Sequence, residues 1–156
     1  MTSRLLKLCA LAVLALAAAI TQLSLAQTPP TLEEMKGEAD RATDGRQARL
    51  CAELAAHLVD IASEQFSHGN MQQGQATVQD VLNYGSKAHS VALNSKASMK
   101  DIKDTELALR KAERSLGELK RTLSVADRAP LDGVEKKLDE FRQDLLNVLF
   151  APKKKN

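Results

Sequence analysis

Residues 50–82 of this chain read LCAELAAHLVDIASEQFSHGNMQQGQATVQDVL, and their spacing predicts two helices joined by a tight turn. Five positions three or four residues apart share one face of the first helix, and four of the five are apolar: Leu50, Leu54, Leu58, Ile61 and Gln65. Gly69 then stands where a left-handed helix end favours glycine. Asn70 and Gln73 have the spacing of a capping box at the start of a second helix. The stretch therefore predicts an αα-hairpin whose two helices are antiparallel.

The second helix of this hairpin carries a continuous seam of mostly small residues. Its members again recur every three or four positions: Met71, Gly74, Val78, Val81, Gly85, Ala88, Ala92 and Ser95. Small side chains allow two helix backbones to approach closely. We therefore expect close packing of this helix against its neighbour rather than interdigitation of bulky side chains.

The middle of the hairpin resembles a tetratricopeptide repeat, which is also a helix, a glycine turn and a helix. The residues that carry the resemblance are Phe66, Gly69, Met71, Gly74, Val78 and Leu82. The sequence departs from the repeat pattern at Gly74 and Val81, where the repeat has alanine, and at Ser86, where it has proline. The signature occurs once, and a single repeat cannot bury its own faces. An ordinary αα-hairpin in a bundle is the preferred interpretation, with a repeat array as the alternative.

Three further helices are predicted on either side of the hairpin. A short one begins at Thr31, which has capping-box spacing to Glu34, and ends at a break over Thr43-Asp44-Gly45. Residues 94–99 are predicted to form a loop. The helix after it has its apolar stripe at Ile102, Thr105, Leu109, Ala112, Leu116, Leu119 and Leu123. Its charged residues, Glu106 among them, are expected to form a solvated face with weak ion pairs.

The last helix is predicted to follow a loop over Ser124–Pro130, because proline suits the first turn of a helix. Its stripe is the strongest in the chain and consists of Leu131, Val134, Leu138, Phe141, Leu145 and Val148. Leu146, Leu149 and Phe150 widen this stripe near the end, and Pro152 stops the helix.

These patterns predict an all-α fold, because strand-like alternation is missing from the sequence. The expected architecture is an antiparallel helical bundle of four long helices plus a short N-terminal helix. An elongated coiled-coil dimer has the same apolar pattern, so the oligomeric state stays open.

The first 26 residues differ in composition from the rest of the chain. Arg4 and Lys7 precede an apolar run from Leu8 to Ile20, and Ser24-Leu25-Ala26 has the small residues of a cleavage site. This pattern predicts a secretory signal peptide over residues 1–26 and export to the periplasm or the extracellular space. The alternative is an uncleaved membrane anchor, because the run from Leu8 to Ala26 is just long enough to cross a bilayer.

After the signal peptide we expect a helical bundle domain over residues 27–150 and a basic C-terminal tail over residues 151–156. The whole chain has 22 basic and 20 acidic residues, but Arg4 and Lys7 belong to the signal peptide, so the remainder has 20 of each. Net charge therefore gives no reason to expect nucleic-acid binding. Membrane contact is expected only weakly, through Lys153–Lys155, and a frayed solvated end is the preferred interpretation.

A polar stripe lies beside the apolar face of the first hairpin helix, at Glu53, His57, Asp60, Glu64 and His68. Carboxylates and imidazoles four residues apart can share a metal ion, so Zn²⁺ or Cu²⁺ binding is a hypothesis. The Glu-x-x-His pairs of di-iron bundles are missing, and the other helices offer only His89, near an apolar seam. A solvated or interhelical polar face is preferred, and we assign no metal or cofactor site.

The rest of the sequence has few reactive residues and few motifs of catalytic or cofactor sites. Cys51 is the one cysteine outside the signal peptide, and it is expected to be a small buried apolar residue, with a reactive or dimer-forming thiol as the alternative. The sequence has no Cys-x-x-Cys-His haem site, no phosphate-binding glycine loop after a strand and no local catalytic motif. These observations predict a protein that is not an enzyme and has no cofactor.

The sequence is thus similar to the many uncharacterised exported helical bundles of bacteria, a likeness of class alone. It favours a protein that binds an unknown protein partner or has a structural role in the cell envelope. One alternative is a periplasmic stress or metal-responsive chaperone resembling the Spy/CpxP family, although the Leu-Thr-x-x-Gln signature of that family is missing. The other is a metal-binding protein or enzyme that uses the Glu53–His68 stripe.

Overall fold

The computed structural model describes residues 30–151, which form five helices and contain no strand. Helix α1 spans Leu32–Arg41, α2 Asp44–Ser67, α3 Met71–Asn94, α4 Met99–Thr122 and α5 Val125–Phe150. The all-α class, with four long helices and a short one before them, is therefore confirmed for this part of the chain. The predicted signal peptide and the lysines of the predicted tail lie outside the described residues. A compact unit begins at Thr31.

The turns of the bundle agree with the sequence at two places and differ at one. Thr31 and Glu34 form the predicted capping box, with the Glu34 amide 3.3 Å from the Thr31 hydroxyl. Gly69 has a positive φ of 78°, as its place at the turn predicts. The predicted capping box of Asn70 and Gln73 is wrong, because the Asn70 side chain makes no capping hydrogen bond. Backbone hydrogen bonds close this turn instead, including one from the Asn70 amide to the Gln65 carbonyl.

The predicted loop over Ser124–Pro130 is wrong, because α5 begins at Val125 and Pro130 lies inside it. The Arg128 guanidinium donates to the Leu123 carbonyl, and Ser124 donates to the Asp127 carboxylate, so polar side chains stabilise this early turn. Pro130 has no N–H, which costs the helix one hydrogen bond to the Ala126 carbonyl. Because Ala126 is exposed, water can reach that carbonyl.

Helix α2 is the most deeply buried of the five, because it packs against α1, α3 and α4. Leu54 and Leu58 of its predicted stripe are buried, whereas Leu50 and Ile61 are only partly buried. The burial extends beyond the stripe to smaller residues on both flanks, which are Ala48, Cys51, Ala52, Ala55, Ala56, Val59 and Ala62. Two neighbouring long helices require a wider buried surface than one stripe provides.

The small seam of α3 is confirmed as a site of close packing. A Cβ atom on Gly74 would lie 2.8 Å from the Phe66 ring of α2, and one on Gly85 would lie 2.7 Å from Leu138 of α5. Helix α5 packs against α3 and α4, so each long helix has two main neighbours. The all-helical bundle has its core of leucine, valine and alanine between these four helices.

Candidate binding surface

The apolar side chains that the bundle leaves exposed are concentrated at one end. Among residues 30–151, six large apolar side chains are exposed, and they are Leu93, Met99, Leu107, Val125, Val148 and Phe150. Only Val125 belongs to the opposite end, where α5 begins. The others lie in the last turn of α3, the first three turns of α4 and the last turn of α5. These three segments meet, because a short link joins α3 to α4 and a shared groove joins α4 to α5.

That groove lies between the first half of α4 and the last turns of α5 and encloses about 390 Å³. Its α5 wall is apolar and consists of Leu146, Leu149 and Phe150. Its α4 wall combines Leu107 with basic side chains, and Lys103, Glu106 and Arg110 complete the lining. Phe150 is 79% exposed and Leu107 is 44% exposed, so both present their apolar surface to solvent. We call this cleft the α4–α5 groove.

A second depression continues the groove along α4. Its lining is Leu107, Arg110, Lys111, Arg114, Ser115 and Glu118, so it shares Leu107 and Arg110 with the first. From Lys103 to Glu118 the combined surface follows α4 for about 22 Å at 1.5 Å per residue. Basic side chains predominate along this length, so the surface is elongated, partly apolar and mainly cationic.

A buried charge network forms the floor of the α4–α5 groove. Glu106 is only 2% exposed, and the sequence-based expectation of a solvated side chain is wrong for this residue. The Arg110 guanidinium donates to both Glu106 carboxylate oxygens, at 2.9 Å each from Nη2. Arg142 of α5 donates from Nε to Glu106 at 3.2 Å and from Nη1 to Glu113. The buried carboxylate is thus compensated by two cations.

Arg142 holds α4 and α5 together through these contacts. Its burial acts to lower the pKa of the guanidinium, but hydrogen bonds and charge from Glu113 and Glu106 outweigh burial and raise that pKa. The role of Arg142 was not predicted from the sequence. One feature of the sequence could have indicated it. Glu106 and Glu113 are seven residues apart and therefore lie on one flank of α4, where a single cation of a neighbouring helix can reach both.

Two further features of this end differ from the predicted stripe of α5. Val148 was expected to belong to the apolar core, but it is 38% exposed. Leu146 and Leu149 are half-buried and line the groove. The last turn of α5 therefore has apolar side chains directed at solvent because no neighbouring helix among the described residues covers them.

The predicted polar stripe of α2 faces mostly solvent. Glu53, Asp60, Glu64 and His68 are exposed and His57 is half-buried. Glu53 accepts a hydrogen bond from Arg49 at 3.1 Å, and His68 is the C-cap residue that follows Ser67 at the end of α2. Within residues 30–151, no group of three or more His, Cys, Asp or Glu side chains is placed to hold a metal ion. The stripe is thus a row of separate side chains on one helix.

His89 lies at the boundary between α3 and α5, near the apolar seam as expected. Its ring stacks on Phe141 with centroids 4.7 Å apart, and its Nε2 lies 3.0 Å from an Asp144 carboxylate oxygen. No serine, cysteine or threonine hydroxyl or thiol among the described residues bonds to this imidazole. The pair therefore joins α3 to α5.

Cys51 is fully buried, as the preferred interpretation of the sequence predicts. Burial raises the pKa of its thiol above the usual value, and this outweighs the opposite effect of nearby Lys87. Lys87 in turn donates to Asp40 of α1 at 2.7 Å. A thiol that is buried and more basic than usual is a weak nucleophile, so this cluster stabilises the fold rather than forming a reactive centre.

No protein family, curated protein or solved structure matches this chain. Among the helices of residues 30–151, none is both long enough and apolar enough to span a membrane.

Proposed function

We propose that this chain is an exported, non-enzymatic bundle protein that acts by binding another protein through the α4–α5 groove. The observation that carries the proposal is the exposure of Leu107 and Phe150 beside a cationic wall. A clustered exposed apolar surface rimmed by charge is typical of an interaction site. The signal-peptide pattern of residues 1–26 supports export.

We propose further that the bundle is antiparallel in its two hairpins. The Gln65–Thr77 hydrogen bond lies near the turn between α2 and α3, which supports opposite directions for these helices. In the second hairpin, Lys120 pairs with Asp132 at 2.9 Å, whereas Glu106 pairs with Arg142. Residue numbers fall along α4 as they rise along α5, which supports the same arrangement. This geometry brings the start of α4 beside the end of α5 and so builds the groove.

Site-specific photo-crosslinking of the full chain in the cells that produce it tests the binding proposal. A photoreactive residue replaces Phe150 or Leu107 in two variants, and replaces Val125 in the matched control, which is 80% exposed at the other end of α5. We expect one defined protein to be crosslinked from positions 150 and 107 and not from 125. Crosslinking without a recurrent product, or the same products from all three positions, would contradict the proposal.

A second candidate function is that of a chaperone for aggregating proteins. The same observation favours it, because an exposed apolar surface with a charged rim can hold unfolded chains. Equimolar protein would then suppress the light scattering of an aggregating client such as reduced insulin. Replacement of Leu107 by serine would weaken that suppression, and replacement of Val125 would not. Binding of one folded partner without any such protection would favour the first function.

A further inference from the structure

We infer that the occupant of the α4–α5 groove is a short acidic amphipathic helix of a partner protein. The inference rests on the proposed function and names the chemistry of its partner. The groove has an apolar wall, from Leu146 to Phe150, and a cationic wall on α4, which the second depression continues to Lys111 and Arg114. A helix with an apolar face and carboxylates on its flank complements both walls, in the mode of a helix bound in a groove.

Within residues 30–151, several basic side chains of the cationic wall are not paired with a carboxylate. Among the described residues, no carboxylate lies within 4.0 Å of the Lys103, Lys111 or Arg114 side chains, and all three are exposed. Arg110 uses Nε and Nη2 on the buried Glu106 but remains 43% exposed. Glu106 and Glu113 together balance Arg110 and Arg142, so the net positive charge of the wall comes from Lys103, Lys111 and Arg114 and exceeds the single negative charge of Glu118.

Helix α1 shows how this bundle holds a helix of that chemistry. Its ten residues include four acidic and two basic ones, and its apolar stripe of Leu32, Met35 and Ala39 packs on the core. Carboxylates on its flank form ion pairs with the following helices: Arg46 of α2 donates to Glu38 at 2.6 Å, and Lys87 of α3 donates to Asp40 at 2.7 Å. The α4–α5 groove has two comparable components, an apolar wall on α5 and cations on α4, and no helix of residues 30–151 occupies it.

A second copy of the chain fits the groove less well. Two-fold pairing would bring the groove of one copy against the same groove of the other. The wall that carries Lys103, Lys111 and Arg114 would then approach itself, and like charges at close range oppose association. The groove and the second depression together extend for about 22 Å along α4, which sets the length of a matching helix at about four turns.

The test uses the purified full chain and a fluorescent, end-capped peptide of about four helical turns. The peptide has leucines on one face and glutamates on both flanks, and a matched peptide has glutamine in place of every glutamate. We expect the glutamate peptide to bind at least about tenfold tighter in fluorescence anisotropy at low salt, with the preference shrinking as salt is added. Equal binding of the two peptides, or binding of neither, would overturn the inference.

Variants of the protein test whether the peptide binds in the groove. Lys103→Glu is expected to remove most of the preference for glutamate, and Leu107→Ser to weaken both peptides by about tenfold or more. Val125→Ser, the matched exposed position, is expected to leave both affinities unchanged. An equal loss in Val125→Ser would show that the peptide binds elsewhere. Circular dichroism and melting of each variant check that the bundle remains folded.

Two outcomes separate this inference from the proposed function. If crosslinking from position 150 identifies a partner but the glutamate peptide has no preference, the partner lacks the inferred chemistry while the proposed function stands. If vesicles containing anionic phospholipid bind the chain through Lys103 and Phe150 whereas the peptide does not bind, the surface contacts lipid. That second result overturns both the inference and the protein-binding proposal.

Discussion

The Arg142 guanidinium of α5 lies 3.2 Å from the Glu106 carboxylate of α4, and Glu106 is almost completely removed from solvent. Removing one member of a buried ion pair leaves the other charge uncompensated, which typically costs about 3–5 kcal/mol. We therefore expect Arg142→Met to lower the free energy of unfolding by roughly 3 kcal/mol in urea denaturation. Arg110→Met should cost less, because Arg110 is 43% exposed, whereas Arg142 is 14% exposed and is also the partner of Glu113.

The double variant Glu106→Leu with Arg142→Met provides the control for this interpretation. Replacing both charges by apolar groups removes the cost of burying them, so its loss of stability should be smaller than the sum of the two single losses. Additive losses would show that the two side chains do not interact across the interface.

Ser98 and Asp101 form a capping box at the start of α4 that the sequence analysis did not identify. Hydrogen bonds from the Ser98 hydroxyl and amide lower the pKa of the Asp101 carboxyl below its usual value. A carboxyl with a lowered pKa in the folded state stabilises the protein above its unfolded pKa, near 3.9, and loses that effect as the pH falls through the folded value.

Ser98→Ala should therefore destabilise the protein by about 1 kcal/mol at neutral pH, and the difference from wild type should shrink in acid as Asp101 becomes protonated. Urea denaturation over a pH series measures this. Ser86→Ala is the control, because Ser86 is exposed in the middle of α3 and caps no helix, so its effect on stability should not change with pH. A constant Ser98→Ala difference down to strongly acidic pH would contradict the role of Asp101.

Gly45 and Gly133 are both inside helices but differ in their surroundings. A Cβ atom on Gly45 would lie 2.5 Å from the Asp101 carboxyl carbon and 2.6 Å from its Cβ, whereas Gly133 has no neighbouring heavy atom within 4 Å. Gly45→Ala is expected to destabilise the protein by roughly 1–3 kcal/mol through overpacking. Gly133→Ala should stabilise it by about 0.5–1 kcal/mol, because alanine loses less backbone entropy in a helix. Thermal melting of the two variants tests both signs.

The burial of Cys51 predicts a thiol that reacts only when the bundle opens. Because burial also raises its pKa, little thiolate is present at neutral pH, and both effects slow attack on a disulfide reagent. We expect labelling of Cys51 by a thiol-reactive dye to be at least roughly a hundredfold slower in native protein than in denaturant. A Cys51→Ala, Ser63→Cys variant, with its cysteine at an exposed position of α2, should label rapidly in both conditions. Fast labelling of native Cys51, or a disulfide-linked dimer on a non-reducing gel, would contradict this prediction.

The helices were predictable because their signals are local. Leu54 and Leu58 recur at helical spacing, and Gly69 marks the turn, so neighbouring residues alone carry that information. The buried state of Glu106 was not predictable in this way, because its partner Arg142 lies 36 residues away on another helix. A charged residue on an otherwise charged helix face has the same local pattern whether it is solvated or buried.

The α4–α5 groove also could not be predicted from local sequence patterns. An apolar stripe shows that Val148 and Phe150 belong to an amphipathic helix, but it does not show where the neighbouring helix ends. Helices α3 and α5 are neighbours in the bundle, and α3 ends at Asn94. Apolar residues at the end of α5 therefore remain at the surface, and the same stripe that forms the core at Leu138 forms a binding surface at its end.

Substitution of Pro130 distinguishes the predicted loop over residues 124–130 from the helix that the structure shows there. If residues 124–130 were a loop, proline would stiffen it, and Pro130→Ala would destabilise the protein by about 0.4–1 kcal/mol through unfolded-state entropy. In the structure Pro130 instead interrupts the hydrogen bonding of a helix that began at Val125. Alanine restores an N–H for the Ala126 carbonyl and removes a clash that costs up to about 3 kcal/mol in helix interiors. We therefore expect Pro130→Ala to stabilise the protein by roughly 1–2 kcal/mol in urea denaturation, with more helical circular dichroism. Loss of stability would favour the loop.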